Sequence, residues 1–177
     1  MRRGLKLALV ALAFLDAACG YALQGRGNAL PDYIRRIGVP AFTNHSDTPE
    51  LDRILAEAVR EELRSRGRYI VVQESDGVDA VLTATVNPVT LSVAALNENR
   101  QAQRYLITVN ASVEFKETKD KKLIWSNPSV RASEEYEAAA GVSVANPAAI
   151  FTQDQNALNR LAKAFARALV TTMLEAF

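Results

Sequence analysis

The chain has 177 residues, of which 49% are hydrophobic and 23% charged, with 21 Lys and Arg against 20 Asp and Glu. This composition is typical of a globular domain, and the net charge of +1 argues against nucleic acid as a partner. Because there is one Cys and one His, an internal disulfide and a zinc site made of Cys and His ligands are both excluded.

The first 18 residues have the features of an export signal. Arg2, Arg3 and Lys6 form a basic segment, and the nine residues from Leu7 to Leu15 form a short apolar one. A helix that spans a membrane needs about 20 apolar residues. The sequence therefore predicts a cleaved lipoprotein signal peptide over residues 1–18, not a membrane span.

The single cysteine follows this signal directly. Small residues precede it in Asp16-Ala17-Ala18-Cys19, which resembles a bacterial lipobox with Asp16 in the place usually taken by Leu. The resemblance implies cleavage before Cys19, a covalent diacylglycerol and an N-acyl chain such as palmitate on that residue, and sorting to the outer membrane because Gly20 follows. A plain signal cleaved after Ala18, which leaves an inert thiol, is the alternative. No other cofactor is expected.

The chain after the signal is predicted to be a lipidated N-terminus and tether over residues 19–30, followed by one α+β domain over residues 31–177. The first strand candidate is Ile37 to Phe42, where Pro40 lacks an N–H and favours an edge position or a bulge. Residues 43–47 are predicted to be a polar loop.

An amphipathic helix is predicted next. Thr48 is expected as its N-cap and Pro49 as its first residue, and the helix is expected to run to Arg66 and to stop at Gly67. Its apolar face is predicted to contain Leu51, Ile54, Leu55, Ala58, Val59 and Leu63, with Arg60 on the polar face.

The middle of the chain is predicted to form antiparallel hairpins. A short strand is expected at Tyr69 to Gln73. Between Ala80 and Leu96 the apolar residues change from even to odd positions at Asn87-Pro88, which predicts a bulge or kink there. Tyr105 to Phe115 alternates most regularly, and a charged turn covers residues 117–122. A return strand is expected to start at Leu123-Ile124-Trp125, and Val130 to Tyr136 extends or follows it.

The C-terminal segment, Asp154 to Glu175, is predicted to be a second amphipathic helix. Its apolar stripe fits packing on the sheet better than a position on a membrane surface. The predicted fold class is therefore α+β, a small and mostly antiparallel sheet with two amphipathic helices packed on one face.

No catalytic motif is present, and no enzyme activity is expected. The sequence contains no GxSxG, HExxH or phosphate-binding glycine loop. His45 lies beside Ser46, but a neighbouring hydroxyl is not a catalytic triad, so a solvated loop histidine is favoured. Glu134, Glu135 and Glu137 are expected to alternate between the two faces of a strand, as solubilising charges and not as an acid/base pair or calcium site.

Two groups of cations are candidate contacts for phosphate groups or a partner. Arg100 and Arg104 lie in the predicted loop Asn97 to Arg104, and Lys119, Lys121 and Lys122 lie in the charged turn. Simple solubility is the alternative for both groups, since exposed turns are often charged.

The order of these features resembles the family of the LPS-assembly lipoprotein LptE. The segments that carry the resemblance are Cys19-Gly20-Tyr21-Ala22-Leu23, Leu30-Pro31, Ile37 to Asn44, Glu62 to Gly67, Asp79 to Leu82, Tyr105 to Val113, Trp125 and the closing helix. They cover nearly the whole chain after the signal.

The resemblance implies a non-enzymatic lipoprotein of the Gram-negative outer membrane. Members of the family plug a large β-barrel, LptD, and help to insert lipopolysaccharide into the outer leaflet. The implied partners are an LptD-like barrel, the membrane through the lipid anchor, and lipopolysaccharide as a candidate ligand. Residues 137–159 contain no Lys or Arg, so a family loop that contacts lipopolysaccharide phosphates has no basic counterpart there.

Two other functions stay open. A strand of the form Ile-x-Val-Pro-x-Phe-x-Asn before a helix also resembles activators of peptidoglycan synthases and curli-type secretion lipoproteins, which form rings. A periplasmic hydrolase that uses His45 is the third hypothesis, and replacing His45 would test it.

Overall fold

The computed structural model describes residues 30–137 and 147–177. The strands within these ranges are β1 (Arg36–Gly38), β2 (Thr43–Asn44), β3 (Ile70–Val72), β4 (Ala80–Val86), β5 (Thr90–Leu96), β6 (Ala102–Glu117) and β7 (Leu123–Glu137). The helices are α1 (Leu51–Ser65), α2 (Pro147–Gln153) and α3 (Gln155–Leu174).

A long antiparallel meander, made of β4, β5, β6 and β7, dominates the sheet. One edge of β6 pairs with both β4 and β5, and its other edge pairs with β7. Val86 of β4 pairs with Ala111 of β6, and Thr90 of β5 pairs with Thr108 of β6. Three residues, 87–89, lie between these two pairs on the β4–β5 side, whereas only residues 109 and 110 lie between them on β6, so the β4–β5 side has one extra residue. This is the bulge that the change of phase at Asn87-Pro88 predicts.

The remaining strands are short and parallel. β1 lies between β3 and β4 and is parallel to both, and β2 is parallel to the end of β4. The prediction of one strand from Ile37 to Phe42 was therefore wrong, because the chain breaks after Gly38 and Thr43 and Asn44 pair again. Pro40 lies in this break, where its missing N–H costs the sheet no hydrogen bond.

The helices pack against one face of the sheet. The inward positions of β6 are the odd ones, and its buried residues are Tyr105, Ile107, Val109, Ala111, Val113 and Phe115. The stripe predicted for the second helix is buried on this face and contains Leu158, Leu161, Ala162, Phe165, Leu169, Met173 and Leu174. The α+β class and the packing of both helices on the sheet are confirmed, and the parallel pairings add a feature that the hairpin pattern did not indicate.

The start of α1 differs from the prediction. The N-cap is Glu50, with a left-handed φ of 58° and no side-chain cap, and not Thr48. Thr48 is buried in the preceding loop, where its carbonyl accepts a hydrogen bond from Asn44 Nδ2 over 2.9 Å. The end of the helix agrees better, since Arg66 is the C-cap and Gly67 follows with a φ of 70°.

The start of α3 follows the sequence closely. The Asp154 carboxylate caps it by accepting hydrogen bonds from the backbone N–H groups of Asn156 and Ala157. α2 was not predicted, because its seven residues are too few to display a helical period. Within the described ranges, no helix combines the length and apolar character that crossing a membrane requires.

Candidate functional surfaces at the two ends of the sheet

One end of the meander is the turn between β5 and β6, residues 97–101, which we call the tip. The Asn97 side-chain oxygen accepts hydrogen bonds from the backbone N–H groups of Asn99 and Gln101 at 3.0 and 2.9 Å. The Asn97 N–H also donates to the Gln101 carbonyl over 2.9 Å. This network closes the turn and holds Arg100 exposed, with a left-handed φ of 61°.

Arg104 does not lie in the loop as predicted. β6 begins two residues earlier than Arg104, so this residue projects from a paired strand. Its guanidinium donates to the Glu135 carboxylate of β7 over 3.0 Å, and both side chains are about half exposed. An exposed pair of this kind contributes at most about 1 kcal/mol, so it orients Arg104 more than it stabilises the fold.

The other basic group lies at the opposite end of β6. Lys119, Lys121 and Lys122 are exposed on the turn at residues 118–122, where Lys121 has a φ of 52°. The backbone N–H of Thr118 donates to the Asp79 carbonyl over 2.9 Å, which fixes this turn to the start of β4.

The two basic groups are far apart. The chain between Arg104 and Lys119 is almost entirely strand, and at about 3.3 Å per residue this corresponds to roughly 50 Å. Arg100 and Arg104 therefore form one surface and the three lysines another. No single phosphate-bearing headgroup touches both groups.

The carboxylate of Asp79 organises the lysine-bearing end. It accepts hydrogen bonds from the backbone N–H groups of Arg35 and Arg36 at 2.9 and 2.7 Å. These bonds hold the pKa of Asp79 below its ordinary value, because they stabilise the ionised form. Asp79 thus joins the start of β1 to the start of β4.

A groove of about 450 Å³ separates α1 from α3 on the helical face. Ala58, Ala162 and Ala166 are among the residues that line it. Acidic residues of α1 stand on one side and basic residues of α3 on the other, namely Glu57, Glu61, Glu62, Lys163 and Arg167. None of the ion pairs in the described residues crosses this groove.

Glu134 and Glu135 of β7 are ion-pair partners. Glu134 faces the helices, where it accepts a hydrogen bond from Arg160 of α3 over 2.5 Å. Its neighbour Glu135 pairs with Arg104 on the opposite face, so the expected alternation is confirmed. The hydrogen bond from Arg160 is the main reason that the pKa of that guanidinium is raised.

His45 is exposed, and its backbone N–H extends the pairing with β4 by donating to Val86. The adjacent Ser46 hydroxyl donates to Asn44 Oδ1 over 2.7 Å and accepts from the Thr48 N–H, so it is occupied within its own loop. Across residues 30–137 and 147–177, no cluster of His, Cys, Asp and Glu has the arrangement of a metal site.

The predicted lipidation site, Cys19, lies outside the described residues. Leu30 is buried, and its N–H donates to the Tyr69 hydroxyl over 3.1 Å. Tyr69 directly precedes β3. Leu30, the first residue that the structure describes, therefore lies at the end that carries the lysine-bearing turn.

A family described as LptE, lipopolysaccharide-assembly, matches residues 34–173 of the chain. No curated protein sequence matches it significantly.

Solved structures share its fold. An uncharacterized lipoprotein B from Nitrosomonas europaea is 10% identical, with a TM-score of 0.52 over 87% of this chain and 90% of that one. A hypothetical protein from Chlamydia trachomatis is 11% identical, with a TM-score of 0.52 over 81% and 97%. The rare lipoprotein B from Shewanella oneidensis is 14% identical, with a TM-score of 0.45 over 80% and 98%. At these identities, the two scores above 0.5 indicate a common fold and nothing about ligands.

Proposed function

The chain belongs to the LptE family of lipopolysaccharide-assembly lipoproteins, and on that premise we propose that it is the plug and assembly partner of an LptD-like β-barrel. In this role it assists the insertion of lipopolysaccharide at the outer leaflet of the outer membrane. The match over residues 34–173 is the observation that carries the proposal, since it covers the described fold almost completely. The family is non-enzymatic, and the role requires no catalytic group.

The shape of the meander supports the plug role. β5, the first half of β6 and the last part of β7 extend past the short parallel strands as a three-stranded arm. The outward face of this arm is polar, with the hydroxyls of Thr108 and Ser133 at 2.8 Å and the pair between Arg104 and Glu135. Wide outer-membrane barrels have polar interiors, so a polar arm suits such a lumen.

Acylation of Cys19 is the second part of the proposal. A diacylglycerol and an N-acyl chain on Cys19 would hold the end of the domain that contains Leu30 near the inner leaflet. The arm then extends away from the anchor, because the tip lies at the other end of β6. This orientation makes Arg100 and Arg104 the candidate contacts with the barrel or with lipopolysaccharide inside it.

Affinity purification tests the partnership. A C-terminally tagged chain is recovered from detergent-solubilised outer membrane of its native host, washed at high salt, and the bound proteins are identified by mass spectrometry. We expect a large β-barrel protein in stoichiometric amount. Recovery alone, as a ring, or with a peptidoglycan synthase would instead favour the alternative lipoprotein classes.

Two substitutions, one in each turn, test which end of the domain contacts the barrel. Arg100→Glu and Lys121→Glu are a matched pair, because both residues are exposed cations with positive φ in hairpin turns at opposite ends of β6. If the tip faces the barrel, Arg100→Glu lowers recovery of the barrel and Lys121→Glu does not. Equal recovery with both variants would contradict the tip as the contact.

A further inference from the structure

β5 forms a free edge of the sheet. Within the part of the chain that the structure describes, β6 is the only strand that pairs with it. Five of the seven residues of β5 are exposed. A row of unpaired backbone N–H and C=O groups is a template for another strand, so a free edge selects an extended segment as its ligand.

The other outer strands among the described residues are protected against such pairing. β3 has three residues and β2 has two, so neither offers a long row of backbone groups. β7 is long, but two register shifts interrupt its pairing with β6, and Pro128 has no N–H to donate. The rest of β7 carries four charged side chains, namely Arg131, Glu134, Glu135 and Glu137.

β5 lacks the protection that charged side chains give to an edge. Residues 80–97, which include the whole of β4 and β5, contain no Asp, Glu, Lys or Arg. The pairing of β5 with β6 is regular from Thr90 to Val93 and shifts twice before Leu96, so the regular part of the edge is the first half of the strand. An uncharged, exposed edge promotes aggregation unless a partner covers it.

Two large apolar side chains flank this edge. Val93 and Leu96 are 53% and 58% exposed. Val93 is opposite Tyr105, which is buried on the helical side of the sheet, and opposite residues of an antiparallel pair share a face. Leu96 is opposite Ala102, which lies on the other side of the sheet together with Arg104. A strand added to the edge reaches both side chains, whereas a ligand on one face of the sheet reaches one.

The space beside β5 fits a single short segment. Seven residues of strand are about 23 Å long. Beyond the start of β5 the same side of the sheet is occupied, because Thr43 and Asn44 of β2 pair with the end of β4. In a second copy of the chain, β5 runs directly into the tip, and antiparallel pairing of the two β5 strands would bring that tip against β2. An extended segment of about seven residues avoids this conflict.

We propose that the β5 edge binds an extended, uncharged segment of the barrel partner, which joins the sheet as a further strand. The proposal rests on the proposed barrel partnership and names the element of this chain that receives the partner. Main-chain hydrogen bonds supply the affinity, and Val93 and Leu96 contact side chains on the two faces of the added strand. Because β5 belongs to the arm and ends directly before the tip, the bound segment lies where the arm enters the lumen.

Site-specific photo-cross-linking in the native host identifies the occupant. p-Benzoylphenylalanine replaces Val93 or Leu96 in the tagged chain, intact cells are irradiated, and the cross-linked products are purified and mapped by mass spectrometry. Ile70 is the matched control position, since it is 61% exposed on β3, the strand at the opposite edge of the sheet. We expect cross-links from positions 93 and 96 to one short segment of the barrel protein, and none to that segment from position 70.

Paired substitutions separate strand addition from contact through apolar side chains. Val93→Lys with Leu96→Lys puts charge on both faces of the edge and should lower recovery of the barrel in the affinity purification about tenfold or more. Val93→Thr with Leu96→Thr removes apolar surface but keeps an uncharged strand, so recovery should fall by less than about threefold. Ile70→Lys should leave recovery unchanged. Matching urea midpoints establish that the variants remain folded.

Three outcomes would overturn the proposal: full recovery of the barrel with the lysine pair, equal losses with the lysine and threonine pairs, or cross-links from positions 93 and 96 only to a second copy of the chain. Where the unsubstituted chain still recovers the barrel, these results leave the plug role intact. If the unsubstituted chain recovers no barrel, the plug role fails and the assignment of the β5 edge fails with it.

Discussion

Arg60 Nη1 of α1 donates a hydrogen bond to the main-chain oxygen of Val39 over 2.7 Å. Val39 lies in the break between β1 and β2, where its carbonyl has no hydrogen-bond partner in a neighbouring strand that the structure describes. The hydrogen bond from Arg60 satisfies this carbonyl instead. Nε and Nη2 of Arg60 donate to the Glu57 carboxylate, and the hydrogen bond from Arg60 is the main cause of the lowered pKa of that carboxyl. Arg60 is 3% exposed, although its position in the helical pattern placed it on the polar face.

We expect Arg60→Met to lower the free energy of unfolding by about 2 kcal/mol, since the Val39 carbonyl would stay buried without its donor. Urea denaturation gives the value. Arg64→Met is the control, because Arg64 is 43% exposed and its loss should cost less than about 0.5 kcal/mol. Equal midpoints for the two variants would show that the bond to Val39 contributes nothing.

Asp79→Ala tests the junction of β1 and β4. At neutral pH we expect a loss of about 1 kcal/mol, because the N–H groups of Arg35 and Arg36 lose their acceptor. The pKa of Asp79 is lower in the folded state, so its contribution is present above the ordinary pKa and disappears as the pH falls through the folded value.

Urea unfolding at a series of pH values below about 5 measures this dependence. The native chain should lose stability on acidification, and Asp79→Ala should lose less over the same interval. Asp79→Asn keeps an acceptor oxygen without the charge, so it should retain part of the stability at neutral pH. Its free energy of unfolding should depend less on pH than that of the native chain. Parallel profiles for the native chain and both variants would contradict the assignment.

Gly38→Ala should be more damaging than Gly67→Ala. A Cβ on Gly38 would lie 2.3 Å from the backbone oxygen of Glu74, which moves only if the chain moves. We expect a loss of about 3 kcal/mol or failure to fold. A Cβ on Gly67 meets nothing within 4 Å, and its φ of +70° alone should cost about 1 kcal/mol. Thermal unfolding of the two variants ranks them, and the reverse order would refute the steric argument.

Cys19→Ser should abolish incorporation of labelled palmitate, because it removes the proposed site of acylation. Asp16→Leu restores the usual lipobox residue and should speed processing without changing the final location. Labelled palmitate in the Cys19→Ser protein would place the modification elsewhere.

The positions of strands and of the bulge could be predicted from the sequence where one face of a strand is buried. The change of phase at Asn87-Pro88 predicted the bulge correctly, because an unbroken strand would have exposed half of its apolar residues. The alternation from Tyr105 to Phe115 identified β6 for the same reason, and the apolar stripe from Leu158 to Leu174 identified α3.

The rest depends on contacts between residues that are distant in sequence. The burial of Arg60 follows from the position of the Val39 carbonyl, which no helical period reveals. Thr48 has the right chemistry for an N-cap, but hydrogen bonds with Asn44 and Ser46 hold it in the loop. Arg104 lies on β6 and not in the loop because β6 continues to pair with β7 beyond the predicted start at Tyr105.

The central position of β6 has a consequence for the order in which the fold assembles. β5 and β7 each reach β6 through a turn of about five residues, so these pairings close short loops and cost little chain entropy. The parallel pairing of β1 with β3 requires the whole of α1 to form and cross between them. We therefore expect the meander to be structured in the folding transition state and the β1–α1–β3 unit to dock afterwards. Substitutions in β6 then slow folding, whereas those in β3 mainly accelerate unfolding.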